Sequence, residues 1–490
     1  MLKKILELSK DTAVYGISTM LGRFLSFLLF PIYTNVFSPA EYGIYTLIYS
    51  YLAFLNVVYI YGMDVAFMKY TSLAEGEEKK DTFSTPYLFV TATAVLFSFI
   101  LYLSRSPISV SMNLDLRYSY LLFYVIGILF FDTLSLIPFN SLRLERKTKK
   151  FALIKISNIV INLGLNLILI LKYHYGIESI FISNLVASIF SFVALLPEIL
   201  KKLKLHVDIN ILKKMMKFGL PYLPAAFASV IVQIIDVPIV ERLTNTATLG
   251  VYRANYRLGI FMMLFVQMFA FAWQPFFLEN AKEKDAKEIF SKVLTIFFVI
   301  LASLWIFLSL FIGDIVTIRI MGRTILGEQF LSGLPIVPII LLAYLFNGLY
   351  VNFIAGLYIE EKTQYFPLIT GLGAIVNVAV NFTLIPQFGI MGAAWATLAS
   401  YVVMAGGLFI VSQKFYRINY EYKKIAKVFA LIFISGVIYY YLVSNDMLNL
   451  GIKLLILIGF IASLFILKVV EKEEFIKVVS LFKNKGKLKS

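Results

Sequence analysis

The chain contains no cysteine and only two histidines among its 490 residues. Without thiols, a disulfide framework, a thiolate metal site and a cysteine nucleophile are all excluded. Charged residues are also scarce: they make up 15% of the chain, against about 25% in soluble globular proteins. Together with 60% hydrophobic residues and a mean hydropathy of +0.83, this excludes cytosolic enzymes, secreted domains and disordered proteins. The solvent for most of the chain is therefore lipid.

Motifs for common chemistry are missing as well. Neither the phosphate-binding pattern G-x-x-x-x-G-K-[ST] nor the zinc pattern H-E-x-x-H occurs, so we do not expect ATP hydrolysis or metal-dependent catalysis by this chain. His174 and His206 both fall in loops between apolar stretches. We therefore expect a protein that is not an enzyme and that needs no cofactor.

Long apolar runs dominate what is present. A membrane helix needs about 20 mostly apolar residues, and fourteen stretches of the chain meet this requirement. The first stretch is too long for a cleavable signal peptide, and no small-residue cleavage site follows it. The sequence predicts an all-α polytopic membrane protein with these spans: 12–36, 43–66, 86–104, 117–138, 151–172, 177–197, 218–240, 248–275, 290–312, 333–358, 364–385, 389–412, 425–443 and 448–468.

Lys and Arg are distributed very unevenly between the loops. Thirty-four of the 45 fall in segments on the same side as the N-terminus, and seven fall on the opposite side. Because cytoplasmic loops carry the excess of basic residues, we expect both termini to be cytoplasmic. The same distribution explains the net charge of +16 without a nucleic-acid partner.

Two sets of residues recur along the chain. Asn162 and Asn166 recur 215 positions later as Asn377 and Asn381. A second set recurs 207 positions later: Pro31, Gly43, Tyr45 and Tyr49 correspond to Pro238, Gly250, Tyr252 and Tyr256. Since each half has an even number of spans, the halves are parallel repeats, and transporters of this kind bind substrate between them. The predicted division is a six-helix lobe at 1–200, a cytoplasmic link at 201–217, a second six-helix lobe at 218–413, two further helices at 414–470 and a basic cytoplasmic tail at 471–490.

Four cations fall within predicted spans, where a charge costs at least about 2.5–3.5 kcal/mol. They are Arg23 in span one, Lys155 in span five, and Arg253 and Arg257 in span eight. Those three spans carry no acid, which favours a cavity for an anionic substrate, and guanidinium groups match phosphate oxygens well. Arg23 is the strongest candidate because it is near mid-depth with no acid close in sequence.

Uncharged polar residues share helix faces with these cations or lie on the neighbouring spans. Amides bind hydroxyls and rings stack on sugar faces, so the following are candidate sugar contacts: Tyr45, Tyr49, Asn56, Gln233, Gln267 and Gln274. Asp236 is a further candidate, with ion pairing to Arg253 or Arg257 as an equally good interpretation. Asn158, Asn162 and Asn166 are better explained as bonds between helices, and Asp132 as a residue with a structural partner.

Short motifs along nearly the whole chain resemble those of bacterial oligosaccharide flippases of the polysaccharide transporter family (Wzx-type). This family belongs to the superfamily of the MATE exporters and the lipid II flippases. Arg23 occupies the basic position of that family in span one. The motifs are Gly22-Arg23, Phe37-Ser38-Pro39-Ala40-Glu41-Tyr42-Gly43-Ile44-Tyr45, Gly62-Met63-Asp64-Val65-Ala66-Phe67-Met68-Lys69-Tyr70, Pro221-Tyr222-Leu223-Pro224 and Gly389-Ile390-x-Gly392-Ala393-Ala394.

The resemblance implies a MATE-like fold of two six-helix lobes around a central cavity that works by alternating access. The implied substrate is an undecaprenyl-pyrophosphate-linked oligosaccharide, moved across the bacterial cytoplasmic membrane. The implied partners are membrane lipids, a polysaccharide polymerase and glycosyltransferases, and a coupling ion, H⁺ or Na⁺, stays open. Three alternatives remain: a lipid II flippase of the same fold, a cation-coupled small-molecule exporter, and a membrane glycosyltransferase or ligase.

Overall fold

The computed structural model describes residues 27–76, 78–320, 322–445 and 447–470, and these are almost entirely helical. The α-helices are α1 (Phe30–Val36), α2 (Pro39–Ile60), α3 (Met63–Leu73), α4 (Glu78–Leu103), α5 (Arg105–Ser111), α6 (Leu121–Leu144), α7 (Thr148–Leu167), α8 (Glu178–Lys202), α9 (Ile209–Gly219), α10 (Leu223–Ile234), α11 (Asp236–Leu243), α12 (Thr246–Arg257), α13 (Ile260–Asn280), α14 (Ala286–Thr317), α15 (Val337–Ile359), α16 (Tyr365–Phe388), α17 (Ile390–Phe415), α18 (Tyr422–Ser444) and α19 (Leu450–Ile466). Two short antiparallel strands follow α14: β1 (Arg319–Ile320) and β2 (Arg323–Thr324).

Twelve helical stretches in the described part are long and apolar enough to span a membrane. They correspond to the predicted spans from 43–66 through 425–443, so the all-α polytopic class is confirmed. The last predicted span, 448–468, is α19, whose 17 residues cover about 25 Å at 1.5 Å each. Most of the first predicted span, 12–36, lies outside the described residues.

Three predicted spans are broken rather than continuous. The span at 43–66 divides at Tyr61 and Gly62, which have φ values of 36° and 76°. Such left-handed backbone ends a right-handed helix and favours glycine. The other two breaks separate α10 from α11 and α12 from α13. The hydropathy of these spans does not indicate the breaks, because short interruptions leave the apolar pattern of a span unchanged.

Helix α2, which carries Tyr45 and Tyr49, has a well-defined start. The Ser38 side chain accepts a hydrogen bond from the backbone N–H of Glu41, while the Glu41 carboxylate accepts one from the backbone N–H of Ser38. Pro39 follows at the first helical position, where its missing N–H costs nothing. The S-P-A-E sequence thus sets where the helix begins and which residues share its faces.

The link predicted at 201–217 contains a helix of its own, α9. Leu212 and Met215 are buried against α3 and α4, whereas Lys213, Lys214 and Lys217 are exposed. Asp208 caps this helix by accepting hydrogen bonds from the backbone N–H groups of residues 210 and 211. These bonds to the charged carboxylate hold the pKa of Asp208 below its usual value.

The chain divides into two compact units that do not coincide with the predicted lobes. The N-terminal unit comprises the described residues up to 254 together with 319–333 and 377–393. The C-terminal unit comprises 255–318, 334–376 and the described residues from 394 onward. The two-lobe division of the sequence remains a prediction.

In the N-terminal unit, α6 is the central helix and packs on α2, α4 and α8, while α7 packs mainly on α8. Lysines gather where α4 and α7 begin and α8 ends, which we call the basic end. The opposite end of the unit is called the outer end.

Two glycines meet at the outer end of the N-terminal unit. A Cβ atom added to Gly43 in α2 would overlap the carbonyl oxygen of Thr246, and one added to Gly250 in α12 would overlap that of Pro39. Gly43 and Gly250 are 207 positions apart, and so are their partners Pro39 and Thr246. This is the offset of the sequence repeat. The contact is therefore reciprocal, as a local two-fold axis between repeated segments requires.

In the C-terminal unit, the 32-residue helix α14 contacts α13, α15, α18 and α19. The indole N–H of Trp305 donates to the carbonyl of Pro338 at 2.9 Å, and the Tyr440 hydroxyl donates to that of Pro335 at 2.9 Å. An ion pair between Lys453 and Asp314 joins α19 to α14. The last two helices are thus attached to this unit by specific polar contacts as well as by packing.

Candidate functional site

Lys155 lies on the side of α7 that also carries Asn158 and Asn162, and its side chain is exposed. The lipid-exposed side of the same helix is marked by Leu153 and Val160, which are 68% and 57% exposed. At about 100° per residue, Lys155 is some 140–160° away from both. Its exposure is therefore on the side opposite the lipid-exposed stripe, as expected for a residue that lines a cavity within the protein.

An acid from the neighbouring helix accompanies Lys155. Asp132 in α6 accepts a hydrogen bond from Ser188 and lies within electrostatic range of the Lys155 ammonium. Asp132 is also exposed, so it faces open space rather than packed side chains. The structural partner expected for Asp132 is present in Ser188. The comparison of charges in the sequence covered only acids on the spans that carry the cations, and it therefore left out this carboxylate on a neighbouring span.

Further polar groups of α7 and α8 surround this pair. The Asn158 amide donates to the Ala187 carbonyl at 2.7 Å and to the Ser191 hydroxyl at 2.9 Å. The Lys155 ammonium lies 4.2 Å from the centre of the Phe139 ring, a cation–π distance. Asn158 therefore joins two helices, as expected, while the end of the Lys155 side chain lies against an aromatic face.

Aromatic rings continue this surface on α2. The ring centres of Tyr45 and Tyr49 are 5.0 Å apart, and Tyr33 lies 5.8 Å from Tyr45. Asn184 in α8 donates a hydrogen bond to the Tyr49 hydroxyl at 2.8 Å. We call the following residues the polar face of the N-terminal unit: Tyr45, Tyr49, Asp132, Lys155, Asn158, Asn184 and Ser188.

Asn162 and Asn166, which follow Asn158 along α7, bind to each other, and Asn166 also binds to α1. The Asn166 amide donates to the Asn162 side-chain oxygen at 3.1 Å, and the Tyr33 hydroxyl donates to Asn166 at 2.9 Å. Their repeat partners show the same internal bond, from Asn381 to Asn377 at 2.8 Å. The two copies of the repeat thus form the same local structure.

Asp236 and Arg253 form the ion pair that the sequence left open. Asp236 is 2% exposed, and Arg253 Nη1 lies 3.6 Å from its Oδ2. The Tyr252 hydroxyl donates to the same oxygen at 2.6 Å. In this arrangement the Arg253 charge is already engaged.

The remaining candidates are placed as follows. Gln233 is exposed and donates to the backbone and side-chain oxygens of Ser229 within its own helix, and Asn56 is half-buried in α2. In the C-terminal unit, Gln274 is exposed, whereas Arg257 and Gln267 are half-buried. Arg23 lies outside the described residues. For these residues the roles in substrate binding stay predictions.

Sequence reasoning missed Asn184 and Ser188, and it set Asp132 aside. Each stands on a different helix from Lys155 or Tyr49, and a helical wheel of one span shows no contact between spans. A polar residue near mid-span on each of three neighbouring helices was the only available signal. In the described part of the chain, no group of three or more His, Asp or Glu side chains could hold a metal ion.

Comparison with known proteins gives a family and a fold. The sequence model of one family, described as polysaccharide biosynthesis protein, matches residues 32–335. An uncharacterized membrane protein of Methanocaldococcus jannaschii is 22% identical over an alignment of 440 positions, and the match covers 81% of this chain and 83% of that protein. The structure of the lipid II flippase MurJ in an inward closed conformation is similar with a TM-score of 0.73 and 16% identity, over 94% of this chain and 100% of that one. An inward-facing multidrug resistance transporter of the MATE family has a TM-score of 0.65 and 12% identity, over 82% of this chain and 97% of that one.

Proposed function

We propose that this chain, which belongs to the family of polysaccharide biosynthesis proteins, is a flippase for an undecaprenyl-pyrophosphate-linked oligosaccharide. It would move this lipid from the cytoplasmic to the outer leaflet without changing it chemically. The family supports a role in polysaccharide assembly, and the fold shared with a lipid II flippase and with MATE transporters supports movement through the membrane. The resident membrane would be the bacterial cytoplasmic membrane, with both termini in the cytoplasm.

The observation that carries the proposal is the exposed side chain of Lys155 on the polar face of the N-terminal unit. A lysine inside a span normally faces a cavity or a partner, because lipid cannot solvate its charge. Lys155 would bind the pyrophosphate or an acidic sugar, and Arg23 and Arg257 would contribute further positive charge. Tyr45, Tyr49 and Asn184 offer the rings and amides that sugars require.

Arg253 has a conditional role in this scheme. Its pairing with Asp236 occupies the guanidinium. A conformation in which this pair breaks would let Arg253 reach substrate. Gln233, Gln267 and Gln274 would then contact sugar hydroxyls.

A cation-coupled exporter is the second candidate, and Asp132 is the observation that favours it. Exporters driven by H⁺ or Na⁺ need an acid within the cavity, and Asp132 is exposed beside Lys155. In a flippase the same acid would hold Lys155 in position. The family match favours the flippase, since it points to polysaccharide synthesis rather than to export of small molecules.

Depletion of the protein in its own host distinguishes the flippase from the cation-coupled exporter. Lipids are extracted after depletion and analysed by mass spectrometry for polyprenyl-pyrophosphate-linked glycans. For a flippase, we expect such a glycolipid to accumulate while the corresponding surface polysaccharide disappears, and expression of the intact chain should reverse both. Normal surface polysaccharide, together with increased sensitivity to small toxic cations, would contradict the flippase and support the exporter.

A further inference from the structure

Two cavities lie at the outer end of the N-terminal unit. One has a volume of about 500 Å³ and a mostly polar wall, formed by the start of α2, residues 113–118 and Thr246. The other has a volume of about 210 Å³ and an almost entirely apolar wall, formed by α2, α4, α6 and residues 108–112. We call them the polar cavity and the apolar cavity, and neither is lined by a residue of the polar face described above.

The two cavities follow one stripe of helix α2. Ile44 lines the polar cavity, whereas Ile48, Tyr51 and Leu55 line the apolar cavity. At about 100° per residue, these four positions fall within about 60° of one another. Ile44 and Ile48 are one turn apart, so their Cβ atoms are separated by about 5–6 Å. Since α2 begins at the outer end, the apolar cavity lies deeper in the membrane than the polar cavity.

A buried carboxylate connects the walls of both cavities. Glu241 is 4% exposed and accepts a hydrogen bond at 3.0 Å from the side-chain amide of Asn113, which lines the polar cavity. Tyr51, in the wall of the apolar cavity, lies within electrostatic range of the same carboxylate. Met112 lines the apolar cavity, directly before Asn113. The cavities are therefore neighbours, and one elongated ligand can occupy both.

The charges that line the polar cavity are engaged with groups of the same wall. In the described part of the chain, Arg117 is the only cation that lines either cavity, and its Nε atom lies 2.9 Å from Asp115 Oδ2. The Glu41 carboxylate accepts hydrogen bonds from the backbone N–H and the hydroxyl of Ser38, at 2.9 and 2.8 Å. Two carboxylates thus accompany one guanidinium, which does not favour an anionic headgroup.

Charged groups behind the walls do not change this balance. Arg242 lies within electrostatic range of Glu241, so these two charges offset each other. The Arg105 guanidinium lies 5.0 and 4.9 Å from the ring centres of Tyr102 and Phe123, neither of which lines a cavity. The polar cavity therefore suits an uncharged ligand.

Hydrogen-bonding groups of the polar cavity remain open to hydroxyls. A carboxylate has about four acceptor positions, and the bonds within the wall use two on Glu41 and two on Asp115. The Tyr118 ring lies against Arg117, at 4.9 Å, but its hydroxyl has no hydrogen-bond partner within the described part of the chain. Sugar hydroxyls both donate and accept, so they match these groups.

The apolar cavity suits a hydrocarbon chain. Apart from Tyr51 and Ser111, every residue that lines it is Ile, Leu, Val or Met. Such a cavity excludes water, and one of about 150 Å³ already binds small hydrocarbons. Leu103 and Val110, next to its wall in sequence, are 63% and 68% exposed. A chain can therefore enter from the surrounding lipid.

We propose that the two cavities together bind a glycolipid from the leaflet at the outer end. Its uncharged sugar headgroup occupies the polar cavity, where Glu41, Asp115 and Tyr118 bind the hydroxyls. One hydrocarbon chain occupies the apolar cavity, against Leu55 and Leu101. A lipid without phosphate differs from the proposed transport substrate, so this site does not depend on the proposed function.

The test uses the full-length protein, purified in a detergent without sugar groups and examined by native mass spectrometry. Diglucosyl diacylglycerol, diacylglycerol, phosphatidylglycerol and maltose are added separately. We expect retained diglucosyl diacylglycerol. Diacylglycerol lacks the sugars, phosphatidylglycerol carries a negative charge and maltose lacks the chain, so each should be retained at least about tenfold less, as expected for the loss of a hydrogen bond to a charged group. Equal retention of phosphatidylglycerol or diacylglycerol would show general lipid contact and overturn the proposal.

Matched variants locate the ligand in the two cavities. Leu101→Trp fills the apolar cavity and should lose the glycolipid, whereas Ile100→Trp places the same ring at the adjacent position, which is 48% exposed, and should retain it. Tyr118→Phe removes only a hydroxyl and should weaken retention about fivefold. Tyr173→Phe makes the same change at an exposed tyrosine of another outer loop and should have no effect.

Thermal unfolding shows whether Leu101→Trp is folded. If it is not, Ser111→Phe takes its place, because Ser111 is an exposed residue of the same wall. Unchanged retention in the cavity-filling variant, or equal losses in a variant and its control, would overturn the proposal.

Discussion

A lysine ammonium within a membrane helix has to be compensated by water, a partner or a ligand. Lys155 has an aromatic face at Phe139 and an acid in electrostatic range at Asp132, but it remains exposed on the side of α7 away from lipid. The pair offers one positive and one negative group to the same space. A pyrophosphate would bind to Lys155, and Asp132 would hold the lysine side chain in position between transport cycles.

Replacing Lys155 tests whether its side chain binds the substrate. Lys155→Gln should reduce transport about tenfold to a hundredfold, since a hydrogen bond between charged groups contributes about 1.5–3 kcal/mol. Asp132→Asn should reduce transport less, because it acts through Lys155. Both variants should reach the membrane in normal amounts, as measured by quantitative blotting beside the transport assay.

Lys172→Gln is the matched control, as it removes a lysine at the outer end of the same helical stretch. It should transport normally. Normal transport by a well-folded Lys155→Gln variant would remove this residue from the mechanism.

The pair of Asp236 and Arg253 leads to a different expectation. Arg253→Gln leaves a buried carboxylate without its positive neighbour, and breaking a buried pair in this way costs about 3–5 kcal/mol of unfolding free energy. Asp236→Asn combined with Arg253→Gln should recover part of this loss. Thermal unfolding of the purified variants measures the effect, and strictly additive losses would show that the two side chains do not interact.

At the scale of helices, the breaks are the main feature that hydropathy did not predict. Gly62 combines a left-handed φ of 76° with close approach to the carbonyl of Gly219. Transporters place such interruptions where helices line cavities, because lipid does not tolerate unpaired backbone groups. The break lies between α2, which carries Tyr49, and α3, which contacts helix α9 of the link.

A pair of glycine substitutions tests the importance of this break. Gly62→Ala should destabilise the protein by more than about 1–2 kcal/mol, the cost of left-handed backbone alone, because the added methyl group also overlaps the Gly219 carbonyl. Gly164→Ala in α7 is the control, since nothing lies within 4 Å of its added Cβ atom. Equal thermal stability of the two variants would contradict this account of the break.

The helices themselves could be predicted because long apolar runs have few other solutions in lipid. The structure confirms this for the stretches from 43–66 through 425–443. The start of α2 also has a local signal in Ser38 and Glu41. The breaks at Tyr61 and Leu258, and the meeting of Asp132 with Lys155, could not be predicted, since they depend on contacts between helices. Arg23, the residue preferred from sequence, remains untested.

At the scale of the whole molecule, the repeat supplies the symmetry that the proposed alternating access would require. Reciprocal contacts between Gly43 and Thr246 and between Gly250 and Pro39 hold the outer end together. A hydrogen bond from Asn113 to Glu241, at 3.0 Å, closes the same end. If transport requires this end to open, a bond across it should stop transport.

A reversible cross-link provides that test, because the chain contains no other cysteine. Asn113→Cys/Glu241→Cys is treated with a short bifunctional reagent that reduction can cleave. Transport should stop after cross-linking and return after reduction. Each single cysteine variant with the same reagent is the control, and continued transport by the fully cross-linked protein would contradict opening at this end.

The central claim is tested most directly by measuring movement of the lipid-linked glycan in vesicles. The glycolipid that accumulates on depletion is reconstituted with the purified protein, and an externally added enzyme that cannot cross the membrane labels its sugars. Without protein, only the half of the lipid in the outer leaflet is accessible. We predict that the intact chain makes nearly all of it accessible and that Lys155→Gln slows this change. A labelled fraction that stays at one half with the intact chain would contradict the account.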